Sequence, residues 1–276
     1  MRRIAILALL AGVALLAACG DDAGEPVGAG GTEPADADEV YEADLTVLES
    51  PDHGPELCYV VAESLPPQCG GPSVSGWDWA AVEGEERASG TTWGTFHVAG
   101  TWSSEALHLT EAPTAPDGDG GGRDERDFSP GCADPEVVDA THGAEEWEEA
   151  APVASQVPDL VTAWVSDPTG DWDGPYTATV VVPPGSADAA REAVRASYSG
   201  PLCVIERDAP TDAELRAVHT EVDAAAGELG LVGSSVDSER GVVAVDVWVA
   251  DEAAVTLARD RWGDYVELQP ILQPAG

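Results

Sequence analysis

Lysine and asparagine are absent from this sequence, which also has only one methionine and two phenylalanines. Its 12 strong bases are therefore all arginines, and they are set against 52 acidic residues, for a formal net charge of −40. Nucleic acids and anionic lipid surfaces are bound by clustered basic side chains, and no stretch of the chain has such a cluster. The composition argues against both partners. It leaves open either a highly solvated acidic surface or a surface that attracts a cationic partner.

The first 19 residues have the pattern of a secretory signal. Arg2 and Arg3 precede an apolar run over residues 4–15, and small residues follow at 17 and 18. Such a run is too short to span a bilayer, which takes about 20 residues. The sequence Leu-Ala-Ala-Cys at 16–19 resembles the bacterial lipobox. This resemblance implies cleavage before Cys19 and a diacylglycerol on its sulfur. The alternative is an ordinary secretory signal with a coincidental cysteine.

The segment after the signal has the composition of a tether. Residues 19–40 are rich in glycine, alanine, proline and acidic residues. With almost nothing to bury, such a segment is predicted to be disordered and to hold a folded body away from the membrane. The whole layout, with its abundant alanine and glycine, resembles uncharacterised actinobacterial lipoproteins. That resemblance implies a location, the extracytoplasmic face of the cell membrane, and no activity.

The four remaining cysteines predict two disulfide bonds. An even number of cysteines in an exported protein is typical of a disulfide framework. Cys58 and Cys69 flank a short proline-containing segment, so we predict that they pair locally and that Cys132 pairs with Cys203. The alternative is a zinc site made by all four, but the sequence lacks the close Cys-x-x-Cys pairs that are usual in such sites.

Residues 41–112 are predicted to form a small all-β domain, because short β-branched or aromatic runs alternate there with glycine and proline. Four tryptophans of this domain, with a fifth near the C-terminus, suggest an aromatic platform for a glycan or a peptide. The other interpretation is that they belong to a small barrel core, as aromatic residues in strands usually do. The candidate binding residues are Trp77, Trp79, Trp93, Trp102 and Trp248.

Residues 113–157 read as an acidic, glycine-rich linker that contains one short helix. Asp134 followed by Pro135 is typical of a helix start, and we expect the helix around residues 136–149. The linker separates the β domain from residues 158–276, which are predicted to form a second domain.

In residues 158–276, strand and helix patterns occur in the order ββαβ, a linking helix, and ββαβ again. Thr211 and Glu214 match a capping box at the start of the linking helix, and Asp251 is a cap for the last helix. The strand at 177–182 aligns with 243–248, which predicts an internal duplication. The fold class is therefore α+β, with a small all-β N-terminal domain and a duplicated ββαβ domain. The second copy, together with the strand at 202–206 and the linking helix, also has the βαββαβ order of a ferredoxin-like sandwich.

The last long strand predicts which residues lie in the core of this domain. Val243, Val245, Val247 and Val249 are expected to face the helices, since side chains alternate along a strand. Trp248 lies on the opposite face with Val242, Ala244 and Asp246. That open face must either pack on the β domain or bind something.

A family resemblance is visible in the same region. Trp164-Val-Ser-Asp-Pro-Thr-Gly170, followed by Thr177-Ala-Thr-Val-Val-Val, resembles repeats in the pro-regions of secreted streptogrisin and α-lytic-type serine proteases. The resemblance covers about the last third of the chain and implies a strand, hairpin, strand, helix, strand order. In that family the repeats assist folding of the attached protease and inhibit it. No protease domain follows Pro274 in this sequence, so we do not expect the folding role here.

No nucleophile elbow, zinc-protease, phosphate-loop or dinucleotide motif occurs. His97 and His108 lie in adjacent predicted strands and would face each other across a hairpin, but a third zinc ligand is missing. We therefore expect a membrane-anchored binding or structural module without catalytic residues, metal or cofactor. The alternatives are an inhibitor or chaperone of an extracytoplasmic serine protease, and a hydrolase without a recognisable motif. A concave site with convergent histidine and carboxylates would favour the hydrolase.

Overall fold

A computed structural model describes residues 39–103, 106–116, 127–138, 151–167 and 176–276. Cys19, the predicted signal and nearly all of the predicted tether lie outside these residues, as does the greater part of the predicted linker. The described residues are α+β, with strands predominating, as the sequence predicts. In these ranges no helix is both long and apolar enough to cross a membrane.

The strands are numbered in chain order. They are β1 (Val40–Ser50), β2 (His53–Cys58), β3 (Ser73–Ser75), β4 (Glu86–Ala88), β5 (Thr91–Ser103), β6 (Ala106–Leu109), β7 (Thr162–Ser166), β8 (Thr177–Val182), β9 (Leu202–Glu206), β10 (Leu231–Asp237), β11 (Val242–Val247), β12 (Val266–Pro270) and β13 (Gln273–Pro274). The α-helices are α1 (Ala187–Arg195), α2 (Asp212–Ala224), α3 (Ala226–Leu229) and α4 (Glu252–Trp262). Short 3-10 helices span Trp79–Ala81, Ala151–Gln156 and Gly263–Tyr265.

The first sheet closes into a barrel. β1 pairs with both β2 and β5, β2 pairs with β3, and β6 joins β3 to β5. The β3–β6 pair is parallel and the other pairs are antiparallel. This is a five-stranded barrel of the kind that the OB-fold exemplifies. Its interior is apolar because the inward-facing side chains along β1, β2, β5 and β6 are hydrophobic, and they include Val47, Leu57, Phe96, Val98 and Leu107.

The second sheet, β7-β8-β9, is covered on both faces. α1 packs Ala190 and Val194 against one face. Residues 129–132 lie on the other, where the Gly131 amide donates to Thr179 Oγ1 at 3.1 Å. All six residues of β8 are therefore buried, which explains why this strand reads as an almost continuous apolar run.

The expected helix at 136–149 is not formed at its start. Glu136 pairs with Leu202 as an isolated bridge instead. The Glu136 carboxylate accepts from Arg191 Nε at 2.9 Å, and its carbonyl accepts from Arg195 at 2.6 Å. Two arginines of α1 thus hold this residue in an extended conformation at the sheet edge. Residues 139–149 lie outside the described ranges.

The third sheet, β10-β11-β12, confirms the predicted strand register for three of four valines. Val243, Val245 and Val247 are buried against α2, α3 and α4. Val249 was expected to face the helices too, but it lies in the barrel core instead, because β11 ends at Val247 and the chain turns toward the barrel. The predicted capping box of Thr211 and Glu214 is present at the start of α2.

The second and third sheets have the same construction. Each consists of an antiparallel strand pair and a third strand, which follows a helix and pairs in parallel. The expected ferredoxin-like sheet would unite β9 with β10, β11 and β12. Instead β9 pairs with β8, and the other three strands form their own sheet. The linking helix α2 therefore connects two sheets and does not cross over within one.

The end of the described chain returns to the barrel. We call residues 271–275 the C-terminal strap. Leu272, at 0% exposure, lies in the barrel core. Gln273 and Pro274 pair with Glu42 and Tyr41 of β1. The expected second domain, 158–276, thus contributes its last residues to the sheet and the core of the first.

Candidate ligand-binding groove

Four of the five candidate tryptophans pack against the barrel core. Trp77, Trp79 and Phe96 form an edge-to-face set with ring centroids 5.1 to 6.1 Å apart. Trp102 and Trp248 stack at 6.3 Å. Trp248, the first residue after β11, is thus packed on the barrel, whereas Asp246 of the open face of β11 is not part of this packing. Trp93 is half-buried and pairs with Leu48 of β1.

The two histidines expected to face each other do not do so. His108 is opposite Thr101 in the β5–β6 ladder, and its ring nitrogens lie 2.6 Å from Ser75 Oγ and 2.7 Å from Ser103 Oγ. His97 is opposite Asp44 of β1. Within the described ranges, no group of three or more histidine, cysteine or acidic residues is arranged to hold a metal ion.

Both predicted disulfide bonds are present. Cys58 pairs with Cys69, and Cys132 pairs with Cys203, with Cα atoms 5.7 and 5.8 Å apart respectively. The first bond closes the loop that follows β2, and the second ties the segment over the second sheet to β9. The lipidation candidate Cys19 lies outside the described residues.

A groove with a volume of about 620 Å³ lies where β1 changes partners. β1 pairs with β13 at Tyr41 and Glu42 and with β2 from Thr46 onward. The groove opens between these two ladders. Its lining comes from β1, β5, the loop after β2, β11 and the end of β12 with the C-terminal strap. The lining residues are Glu42, Ala43, Asp44, Leu45, Tyr59, His97, Asp246, Gln269, Pro270, Ile271 and Gln273.

On the barrel side of the groove, His97 lies between two carboxylates. Its Nδ1 is 2.9 Å from Asp44 Oδ1, and its Nε2 is 3.8 Å from Glu42 Oε2. The β1–β5 register produces this arrangement, because Asp44 is directly opposite His97 and Glu42 is the next residue of β1 on the same face.

On the opposite side, Tyr59 interacts with Asp246. Burial raises the pKa of the half-buried Asp246 carboxyl, although a hydrogen bond from Tyr59 acts in the opposite direction. Burial also raises the pKa of the Tyr59 hydroxyl, and the charge and hydrogen bond of Asp246 add to this effect. Because desolvation is the largest cause for both groups, this side of the groove is a poor environment for an isolated negative charge.

The lining combines groups that can orient a ligand with the convergent histidine and carboxylates that would favour a hydrolase. Among the described residues that line the groove there is no serine, threonine, cysteine or arginine. Covalent catalysis can also use a carboxylate, a histidine or a tyrosine, and this lining has such groups in Asp44, His97 and Tyr59. The same carboxylates, together with the amides and the exposed aromatic ring, can orient a ligand.

Little in the sequence points to this groove. Carboxylates are so numerous in the chain that no pair of them stands out, and Tyr59 follows a strand without a motif. The one usable signal was Asp246, an acidic residue on the open face of a valine-rich strand. None of the five candidate tryptophans lines the groove.

The chain is an α+β protein in which an acidic groove lies between a closed barrel and a three-stranded sheet. No protein-family model matches it, and no curated protein matches it either.

Proposed function

We propose that this protein is a binding module of the cell envelope, anchored to the membrane through a lipid on Cys19. In this proposal residues 19–40 form the tether, and the folded body binds a ligand on the extracytoplasmic side. The signal pattern before Cys19 supports the anchor. The two disulfide bonds support the location, since such bonds persist in oxidising compartments.

The groove is the observation that carries the binding function. Its volume of about 620 Å³ is within the range of roughly 300 to 1,000 Å³ that is common for small-molecule sites. It combines apolar walls with a few polar groups that can fix the orientation of a ligand. Tyr59, which is 43% exposed, offers an accessible aromatic surface at its edge.

We also infer that the second and third sheets arose by duplication of one ββαβ unit. Both have the same strand directions and the same helix position. The aligned segments 177–182 and 243–248 correspond to the central strands β8 and β11, and the two edge strands β7 and β10 lie beside one small cavity.

The anchor is tested by metabolic labelling with a fatty-acid probe in the native host. We expect the label on the wild type and none on Cys19→Ser. Cys69→Ser is the matched control, because it replaces a disulfide cysteine and should keep the label. Undiminished label on Cys19→Ser would refute the lipid anchor.

Binding is tested by native mass spectrometry of protein purified from its own envelope. A retained small molecule is expected on the wild type and not on Tyr59→Ala, which removes an exposed wall of the groove. Tyr265→Ala is the control, since Tyr265 is similarly exposed at 40% and lies outside the groove. Equal retention by both variants, or no retained mass on any protein, would contradict the proposal.

A further inference from the structure

The lining of the groove combines apolar side chains with three carboxylates. Resting on the binding function proposed above, we propose that its ligand is a small organic cation with a hydrogen-bonding head, an ammonium or a guanidinium, on an aliphatic stem. A cation of this class matches the groove in charge, in hydrogen-bonding capacity and in shape.

Charge complementarity is the first argument. Glu42 and Asp44 on the barrel side face Asp246 on the third sheet across one cavity. The only basic side chain among its described lining residues is His97, which lies against the first two carboxylates. A cation that enters the groove therefore meets acidic groups on both sides, whereas an anion would be repelled by both.

Hydrogen-bonding capacity narrows the class of cation. Carboxylates accept hydrogen bonds, and the side-chain oxygens of Gln269 and Gln273 add further acceptors. Because acceptors dominate, a head group with several N–H donors satisfies the lining better than a quaternary ammonium, which has none. Charge-assisted hydrogen bonds of this kind are the strong ones.

The apolar part of the lining accounts for the stem. Leu45, Pro270 and Ile271 contribute aliphatic surface, and the exposed ring of Tyr59 adds an aromatic wall. An alkyl chain of several carbons can bury its surface there while its head reaches the carboxylates. Inorganic cations have no stem and gain nothing from this surface.

Asp246 supports the assignment through its position on β11. Asp246 is half-buried, it is paired with Gln269 of β12, and it contacts Tyr59. Burial raises the pKa of its carboxyl, so its negative charge is unfavourable in the empty fold. A cation in the groove would compensate that charge. Replacing Asp246 with asparagine should therefore stabilise the empty protein at neutral pH and weaken ligand binding, and a purely structural role predicts no such combination.

The experiment is calorimetric titration of the folded, disulfide-bonded protein without its lipid. The probes share a size and differ in charge: cadaverine as the diamine, pentanediol as its neutral analogue and glutarate as its anionic analogue. Tetramethylammonium tests the need for N–H donors. All titrations use one ionic strength near the physiological value, because a chain with a net charge of −40 attracts cations non-specifically through its long-range field.

Two groove variants are compared with two control variants, which match the charge change of Asp246→Asn; Tyr59→Ala leaves the charge unchanged. Asp246→Asn and Tyr59→Ala are expected to weaken cadaverine binding about tenfold, the effect of losing one charge-assisted hydrogen bond or its apolar equivalent. Glu192→Gln and Glu228→Gln replace exposed carboxylates on α1 and α3 and should leave the affinity unchanged. Melting curves of all four variants report on their folding.

The outcomes separate this inference from the function on which it rests. Saturable binding of cadaverine alone, lost in the groove variants and kept in the controls, supports the cation assignment. Groove-dependent binding of pentanediol or glutarate in its place overturns the assignment and leaves the binding function standing. An equal loss of cadaverine affinity in the groove variants and the control variants also overturns the assignment, because the diamine would then be attracted only by the overall negative charge of the surface. No binding of any probe also overturns it, and the native mass spectrometry above then decides the binding function.

Discussion

Leu272→Ala tests whether the C-terminal strap belongs to the barrel core. The side chain of Leu272 has no exposed surface and packs in the barrel cluster with residues such as Tyr41 and Val249. Its backbone amide donates to the carbonyl of Trp248, and Gln273 then begins the pairing with β1. The substitution removes the largest buried group of the strap and keeps its backbone hydrogen bonds.

The expected loss in the free energy of unfolding is about 2 to 5 kcal/mol, which is the range for truncating a fully buried leucine. The loss should lie in the upper half of this range, because the closed ring of paired strands restricts the collapse of the barrel around the cavity. For a body of this size the loss corresponds to a decrease in Tm of roughly 5 to 15 °C.

Thermal and urea melts of the oxidised protein measure the effect. Pro274→Ala is the control, because Pro274 is exposed in the same strap and should change the stability by less than about 0.5 kcal/mol. If Leu272→Ala melted like the wild type, the strap would not be part of the cooperative core, and one wall of the groove would lack its support.

Three further predictions follow from the packing. Val245→Asp buries a carboxylate in the centre of β11 and should cost at least about 3 kcal/mol in urea melts; an unchanged melt would place Val245 on the other face of the sheet. Replacing Cys132 and Cys203 with serine opens a link between residues 71 positions apart and should cost about 4 kcal/mol by loop entropy; a stability equal to the wild type would show that this disulfide does not contribute to the free energy of unfolding. Because burial raises the pKa of Asp246 above its ordinary 3.8, the folded state binds this proton more tightly than the unfolded state does. The stability that this proton contributes is therefore present at low pH, and it is lost as the pH rises from the ordinary pKa of the carboxyl to its raised value in the folded state. The free energy of unfolding of Asp246→Asn should therefore exceed that of the wild type by an amount that grows as the pH increases from about 4. A pH-independent difference would contradict the effect of burial.

The sequence predicts elements whose signals are local. The capping box of Thr211 and Glu214 needs only four residues, and the alternation of Val243 and Val245 needs only one strand. The disulfide pairing also followed from spacing, since the proline-rich segment brings Cys58 near Cys69.

Features that depend on contacts between distant segments were not predictable in this way. Val249 has the periodicity of its strand but packs in the barrel, because the chain turns after Val247. Leu272 gives no sign in the sequence that it completes a core formed by the first strands. The groove depends on the same contacts, since Tyr59 meets Asp246 only when the barrel and the third sheet are in place.

The pairing of β1 with the C-terminal strap determines how early in biosynthesis the barrel core and the groove can be completed. Glu42 is among the first described residues to be synthesised, and its partner Gln273 is among the last. Leu272 reaches the barrel at the same late moment, so a nascent chain has neither a complete core nor a complete groove. Contacts between such distant positions are formed late and slowly in folding. The proposed ligand can therefore bind only after the C-terminal strap has been synthesised and has paired with β1.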